Sequence, residues 1–286
     1  MKKLIFLAPL AASLALAACD IQQGGEPVVR HDISGEQVTE VADGGTGEVG
    51  VAPAPAFASD CTPHFFEEVL FTDCVASPDT HRIDTALAPE SGVPFGSLAA
   101  FSETVTGETI AFAVNAGIFD PDGLPIGYFV ENRERLEELN RGEGDGNFFM
   151  APNGVFYGTD GSWRIRTTQD FYSNVGDRPQ FGTQSGPMLL IGGEMHPDFQ
   201  DDGPSKAIRN GVGIDDDGKA HFVISEAPVS FGKLARFYRD ELKVKNALYL
   251  DGNVSSLWDP AKNRLDTGKG VGPILVVKKR QDEAGQ

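Results

Sequence analysis

The chain has 286 residues, with 24 Lys and Arg against 42 Asp and Glu, so its formal net charge at pH 7 is −18. Nucleic-acid binding depends on clusters of Lys and Arg that displace counterions, and the sequence has one short basic run, Lys278-Lys279-Arg280. The composition therefore argues against nucleic acid as a partner and is typical of an acidic, well-solvated protein. It does not indicate an oligomeric state.

The first 18 residues have the pattern of an export signal. Lys2 and Lys3 are followed by an uncharged apolar run, which is shorter than the roughly 20 residues that a transmembrane helix needs. The run ends in Leu16-Ala17-Ala18-Cys19, which resembles a bacterial lipobox, where the cysteine is acylated and becomes the new N-terminus. We expect a signal peptide over 1–18 and a membrane anchor through lipid on Cys19. An ordinary secreted protein cut near Cys19 is the alternative.

Residues 19–60 are predicted to be the lipid-bearing cysteine followed by a flexible tether. This segment is rich in Gly, Pro and acidic residues and has almost no aromatic residues, so it cannot bury enough apolar area to offset the entropy of ordering. Residues 61–286 carry most of the aromatic residues and are predicted to form one globular domain, in the periplasm or outside the cell. In such an oxidising compartment, Cys61 and Cys74 most simply form a disulfide.

The domain is predicted to have an α+β fold, with a mixed, largely antiparallel sheet and a few helices. A helix should begin at Ser230, because Leu234, Phe237, Tyr238 and Leu242 form one apolar face. Two further helices are predicted over 97–101 and, from propensity alone, over 131–141. Strands are predicted over 65–71, 109–114, 154–157, 163–167, 188–191, 212–215, 221–225, 247–250 and 274–277.

The residues that could carry chemistry stand where predicted strands end. The sequence has no Gly-x-Ser-x-Gly elbow, His-Glu-x-x-His motif, Walker loop or dinucleotide fingerprint. Each polar strand end by itself is explained by a turn, but sites gather on loops that a rigid sheet holds. The polar residues in question are Asn115, Gln184, Lys206, Arg209, Asn210, Asp251 and Ser255.

Six motifs occur along the domain in this order: Asn115-Ala-Gly-x-Phe, Gly146-Asn-Phe-Phe, Pro152-Asn-Gly-Val-Phe, Gln184-x-Gly-Pro, Arg209-Asn-Gly-Val-Gly and Tyr249-Leu-Asp-Gly-x-x-Ser-Ser. In combination they resemble the phosphodiester glycosidase family over residues 82–277. The sequence departs from the family pattern after Gly252, where Asn253 and Val254 replace two glycines common in relatives, while Ser255 keeps its spacing from Asp251. The resemblance implies cleavage of the bond between a sugar and a phosphate.

The resemblance, together with the chemistry of the side chains, implies a role for each of the polar strand-end residues in cleaving the sugar–phosphate bond. Asp251 is expected to act at the anomeric centre as nucleophile or base, or to stabilise the cationic transition state. Arg209, with Lys206, is expected to hold the phosphate. The sugar hydroxyls or phosphate oxygens would be bound by Asn115, Gln184, Asn210 and Ser255.

No cofactor and no metal site is expected, although several aspartates are candidate calcium ligands. Asp198, Asp201, Asp202 and the run Asp215-Asp216-Asp217-Gly218 supply hard oxygen atoms but lack EF-hand spacing. Asp217-Gly218 is more simply a hairpin turn. The alternative function is a non-catalytic envelope lipoprotein module that binds a glycan or cell-wall polymer without cleaving it.

Overall fold

A computed structural model describes residues 57–89, 92–105, 109–174, 179–268 and 270–280. The predicted signal peptide, Cys19 and the tether up to residue 56 lie outside the described residues. The last tether residues contact the domain, because Ser59 Oγ donates to Asp259 Oδ2 (2.6 Å) and Lys279 Nζ donates to Asp60 Oδ1 (2.8 Å). No helix in the described ranges is long and apolar enough to cross a membrane.

The described residues form three antiparallel sheets with short helices between them. The first sheet has the order β1-β2-β13-β12-β14-β10-β11, the second β16-β15-β4-β17-β3 and the third β6-β5-β9-β7-β8. The predicted α+β, single-domain architecture is confirmed. The strands are β1 (Cys61–Phe66), β2 (Val69–Ala76), β3 (His81–Ala86), β4 (Ile110–Asn115), β5 (Phe129–Glu131), β6 (Glu134–Glu137), β7 (Gly154–Thr159), β8 (Ser162–Thr167), β9 (Phe181–Ser185), β10 (Met188–Ile191), β11 (Glu194–Met195), β12 (Asn210–Ile214), β13 (Ala220–Ser225), β14 (Asn246–Tyr249), β15 (Leu257–Asp259), β16 (Arg264–Leu265) and β17 (Ile274–Lys279).

The three sheets share one apolar core. Phe112 of the second sheet packs edge-on against Phe222 of the first, with ring centroids 5.4 Å apart, and Phe222 in turn contacts Phe156 of the third at 5.9 Å. All three rings are buried, and aromatic pairs at these distances add to the stabilisation from burial alone. Because one core joins the sheets, their strand ends are held in fixed positions relative to one another.

The helices include two that the sequence predicted. Ser230 Oγ accepts from Lys233 N (3.1 Å) and caps α3, and Ser97 Oγ accepts from Ala100 N (3.0 Å) and caps α1. The apolar face of the α3 region packs on the first sheet through Phe237. The helices are α1 (Leu98–Ser102), α2 (Thr168–Asn174) and α3 (Phe231–Arg236), with a π-helical turn at Phe237–Glu241 and 3-10 turns at Asn147–Phe149, Gly252–Val254 and Pro260–Lys262.

Two of the sequence-based assignments are wrong for the same reason. The single strand predicted over 65–71 is a hairpin, because Glu67 and Glu68 have φ of 44° and 66° and turn the chain between β1 and β2. The helix predicted over 131–141 is also a hairpin, since Asn132 and Arg133 have φ of 51° and 69° and β5 pairs with β9. In both places a two-residue turn and pairing with a distant strand prevail over local propensity.

The predicted disulfide between Cys61 and Cys74 is confirmed. The two residues face each other in the register of β1 and β2, and both are buried. The bridge therefore ties the first strand of the domain to its neighbour. Since β1 is an edge strand, this link holds the N-terminal end of the domain in the sheet.

Candidate active site

The ends of the first and second sheets meet at a polar cluster. In the first sheet, Gly211 of β12 pairs with Tyr249 of β14, so Asn210 lies beside Leu250 and accepts from Leu250 N (3.2 Å). In the second sheet, β4 ends at Asn115, beside the start of β15. Asp251 follows β14 and donates its backbone N–H to Ala116 O (3.1 Å). This arrangement brings four of the predicted residues together: Asn115, Asn210, Asp251 and Ser255.

Asn115 is the centre of the cluster. Its Nδ2 donates to Asp251 O (2.8 Å), and its Oδ1 accepts from Asn210 Nδ2 (2.9 Å) and from Ser256 N (2.9 Å). The side chain is 1% exposed. A buried amide needs partners for its donor and its acceptor, and Asn115 finds both in the loop that contains Asp251.

Ser255 completes the same network. Its hydroxyl lies 3.1 Å from Asn210 Oδ1 and 3.1 Å from Gly252 O. Asn115, Asn210 and Ser255 are therefore bonded to one another and to the Asp251 loop. Their geometry suits residues that hold Asp251 in place, and their binding of substrate stays a prediction.

The carboxylate of Asp251 is fixed at the start of a 3-10 turn. Its Oδ1 accepts from Asn253 N (3.1 Å), and the residue is 7% exposed. This contact is with a neutral backbone group, and it orients the carboxylate without supplying a countercharge. A buried carboxylate held in one orientation is suited to nucleophilic or electrostatic work at a substrate.

Arg209 directly precedes Asn210, and its guanidinium is buried among neutral groups. Nε donates to Val229 O (2.9 Å), Nη1 to Tyr249 Oη (3.0 Å) and Nη2 to the carbonyl and hydroxyl oxygens of Ser205 (3.1 and 3.0 Å). The ring of Phe231 lies 3.6 Å from Cζ. Within the described ranges no carboxylate forms an ion pair with this cation, and burial lowers the pKa of Arg209. Of five N–H donors these four bonds leave one, on Nη1.

Tyr249 connects Arg209 to the Asp251 loop. Its hydroxyl accepts from Arg209 Nη1 and is hydrogen-bonded to the backbone of Gly252. Burial raises the pKa of Tyr249, and the nearby charge of Asp251 raises it further, while Arg209 lowers it. The hydroxyl is therefore held neutral between a cation and an anion. Gly252 must lack a side chain here, because a Cβ would lie 1.9 Å from Tyr249 Oη.

Gln184 and Lys206 do not join the cluster. The side chain of Gln184 accepts from Tyr128 N and Asn140 N (both 2.9 Å) and donates to Asn140 O (2.7 Å), so it braces another loop. Lys206 is exposed on the segment that leads to Arg209. Its predicted contact with phosphate stays a prediction.

Sequence reasoning missed Tyr249 as a site residue, although a signal was present. Tyr249 and Asp251 are two positions apart, and residues at this spacing on a strand share a face. The tyrosine also stood inside the motif that ends in Ser255-Ser256. Its bond to Arg209 depends on the pairing of β12 with β14, which local sequence does not reveal.

Several of the candidate calcium ligands contact other groups of the protein. Asp215 Oδ1 accepts from Asp217 N and Lys219 N, in the predicted hairpin turn, where Gly218 has φ of 80°. Asp201 and Asp202 lie beside Arg236. The described part of the chain holds no group of three or more His, Cys, Asp or Glu side chains placed to bind a metal ion.

Comparisons with known proteins identify the family of the chain. The family model described as phosphodiester glycosidase matches residues 108–278. The uncharacterised protein YigE of Escherichia coli (strain K12) is 34% identical over 183 residues, 64% of this chain and 71% of that protein. The zebrafish N-acetylglucosamine-1-phosphodiester alpha-N-acetylglucosaminidase catalytic domain, auto-inhibited by its pro-peptide, has a similar fold, with a TM-score of 0.54 at 14% identity over 78% of this chain and 87% of that one. The chain belongs to the phosphodiester glycosidase family.

Proposed function

We propose that this protein hydrolyses the glycosidic bond of a sugar-1-phosphodiester in the cell envelope. Family membership supports a hydrolase of this general type. The observation that carries the proposal is the buried guanidinium of Arg209, which has neutral partners only in the described structure. A buried cation without a countercharge is costly. An anionic substrate bound nearby would supply that countercharge.

The position of Arg209 fits this role in a phosphodiester. Tyr249 joins Arg209 to the Asp251 loop, and in our proposal the phosphate pairs with Arg209 while C1 of the sugar lies at Asp251. Arginine suits phosphate because its fixed N–H donors match the spacing of phosphate oxygens. Lys206, on the approach to Arg209, would add positive charge at the entrance.

The reaction needs little acid catalysis. Water adds its hydroxyl to C1 of the sugar, the bond from C1 to the phosphate oxygen breaks, and a phosphate monoester leaves. Such a leaving group is stable as an anion, so the strong general acid of ordinary glycosidases is less necessary. Asp251 acts as nucleophile or base, or stabilises the positive charge that develops at C1. Asn115, Asn210 and Ser255 hold its loop in position.

We also propose that the protein acts outside the cytoplasm, anchored by lipid on Cys19. The signal-peptide pattern of 1–18 supports export, and the disulfide between Cys61 and Cys74 supports an oxidising compartment. The residues from Asp20 onward would then let the domain reach away from the membrane.

A substrate panel with a matched pair of variants tests the reaction. The full chain is incubated with methyl phosphodiesters of several sugar-1-phosphates, and release of free sugar and methyl phosphate is measured. Asp251→Asn keeps the turn acceptor for Asn253 N but removes the charge, and we expect turnover to fall by about 10³-fold or more. Asp120→Asn is the control, because Asp120 Oδ1 also caps a turn, accepting from Asp122 N and Leu124 N.

The outcomes separate the two candidate functions. Product release by the wild type and by Asp120→Asn, with loss in Asp251→Asn, supports the glycosidase. Full activity in Asp251→Asn contradicts the role of that carboxylate. Absence of product on every substrate, together with ligand-dependent thermal stabilisation of both wild type and Asp251→Asn, favours a binding module for a glycan or wall polymer.

A further inference from the structure

A column of three stacked rings ends on the guanidinium of Arg209. Cζ of Arg209 lies 3.6 Å from the ring centroid of Phe231. Phe231 stacks on Phe199, with ring centroids 5.0 Å apart and ring planes 15° from parallel. Phe199 in turn stacks on the buried His196, at 4.8 Å and 24°. The cation is therefore the last member of a column of flat groups.

The column is built by two segments that are joined at the start of α3. Phe231 is the first residue of α3, and the other two rings belong to the segment that follows β11. Ser230 Oγ donates to Asp201 O (3.0 Å) and links the two segments. The backbones also approach closely here, because a Cβ on Gly232 would lie 2.3 Å from Gln200 O. The ring of Phe231 therefore has a defined position.

Phe231 contacts the face of a cation whose hydrogen bonds are at its edge. Guanidinium N–H groups lie in the plane of the group, and Nε and Nη2 of Arg209 donate to Val229 O and Ser205 O. An aromatic face attracts a cation, and the attraction is stronger where the cation is shielded from water. Arg209 is 2% exposed. The hydrogen bonds thus hold the edge of the guanidinium, and the ring restrains its tilt out of that plane.

We propose that Phe231 is a positioning residue for Arg209, and that its ring fixes the plane in which the guanidinium meets the phosphate. This inference rests on the proposed function, in which Arg209 pairs with the phosphate. Phe231 acts through Arg209 and not on the reacting atoms. Since Asp251 is the residue assigned to C1, loss of the Phe231 ring weakens substrate binding more than the chemical step.

Steady-state kinetics of two Phe231 variants test the proposal. The substrate is a methyl phosphodiester of a sugar-1-phosphate that the full chain cleaves in the substrate panel. Phe231→Leu keeps an apolar side chain but removes the aromatic face, and we expect KM to rise about tenfold while kcat changes less than about twofold. Phe231→Tyr keeps the face and should retain a KM within about twofold of the wild-type value.

Phe237 provides a matched control. It follows α3 directly and is also a stacked ring, but its partner is the ring of Phe71, with centroids 4.3 Å apart and planes 14° from parallel. Phe237→Leu should lower the melting temperature without changing KM. A double-mutant cycle adds a second control, because Phe231→Leu should not lower kcat/KM further once Arg209→Met has removed the cation.

Three kinetic results would overturn the role of Phe231 while leaving the glycosidase intact. One is an unchanged KM in Phe231→Leu, and another is an equal rise of KM in Phe237→Leu. The third is a lower KM in Phe231→Leu, which would show that the ring obstructs the phosphate.

An NMR measurement tests the position of the guanidinium without any substrate. In full chain labelled with ¹⁵N-arginine, the Arg209 Nε–H signal is assigned by its absence in Arg209→Met, and its exchange with water is measured. Phe231→Leu should speed this exchange about tenfold, and Phe237→Leu should leave it unchanged. Faster exchange in Phe231→Leu would retain the positioning role even if wild type cleaved no diester, a result that contradicts the glycosidase alone. Equal exchange in wild type and Phe231→Leu would overturn the positioning role.

Discussion

Two basic side chains lie near opposite ends of β12, and their partners differ: His221 of β13 faces Gly213 near the last residue of β12, and Arg209 precedes the first. After its last residue, Asp215 approaches His221 Nε2 at 3.4 Å, and Asp73 approaches His221 Nδ1 at 2.9 Å. Before its first residue, Arg209 is surrounded by carbonyl, hydroxyl and aromatic groups. The histidine thus has two carboxylates, while the arginine, within the described structure, has none in an ion pair.

The comparison distinguishes a basic group that is paired within the protein, His221, from one whose charged partner we expect to be a ligand, Arg209. A buried pair with its own carboxylates is complete, and removing one partner is strongly destabilising. A buried guanidinium with neutral partners has hydrogen bonds but no countercharge, so its charge contributes little to the stability of the unliganded fold. Its retention is explained if the countercharge belongs to the substrate.

Removing the charge at Arg209 should give the largest contrast between activity and stability. In Arg209→Met, we expect kcat/KM on a sugar-1-phosphodiester to fall by about 10³-fold, because the phosphate loses its cation. Urea unfolding should show a smaller loss of stability than in Arg264→Met, because Arg209→Met breaks hydrogen bonds to neutral groups and, in the described ranges, leaves no buried carboxylate without a cation. That control removes the cation paired with the buried Asp266, at a cost of about 3 kcal/mol or more. If Arg209→Met and Arg264→Met lowered the free energy of unfolding equally, Arg209 would be a structural cation like Arg264, and its proposed role would be contradicted.

At the other end of β12, His221→Gln should reduce stability in a pH-dependent way and spare activity. Burial lowers the pKa of His221, but Asp73 and Asp215 raise it more, and the net pKa is raised. The stabilisation is therefore fully present below the pKa of the unfolded chain, about 6.5, and is lost as pH rises through the folded value. Urea unfolding at pH 6 and pH 9 should show a larger difference between wild type and variant at pH 6. An equal difference at both would contradict the account.

Tyr249→Phe should have an intermediate effect that falls mainly on substrate binding. Without the hydroxyl, Arg209 Nη1 loses its acceptor and the Gly252 backbone loses a partner. Arg209 and the Asp251 loop are then no longer held in a fixed position relative to each other. We expect kcat/KM to fall about tenfold, mostly through KM, with a loss of about 1–2 kcal/mol in stability. A purely structural tyrosine would lower the melting temperature without changing KM.

The sequence predicted the parts of the fold that local pattern controls. Ser230 and Ser97 precede apolar helical faces, and both cap helices as expected. The strand 188–191 is found with the predicted bounds. The helix predicted over 131–141 was wrong because these helix-forming residues belong to a hairpin that pairs with β9.

The site was only partly predictable for a similar reason. Asn115, Asn210, Asp251 and Ser255 come from adjoining strand ends, and their motifs placed them together. Gln184 has the same type of motif, yet its side chain braces Asn140 across the third sheet. Whether a polar side chain faces the site or a loop is decided by long-range pairing, which spacing in one sequence does not encode.

The most direct test of the glycosidase is the destination of solvent oxygen. The full chain is incubated in ¹⁸O-labelled water with the methyl phosphodiester of a sugar-1-phosphate that it cleaves in the substrate panel, and the products are analysed by mass spectrometry. Because water attacks C1, the account predicts that the label enters the free sugar and that methyl phosphate stays unlabelled. Label in the phosphate would show cleavage of the phosphorus–oxygen bond and would contradict the proposed function.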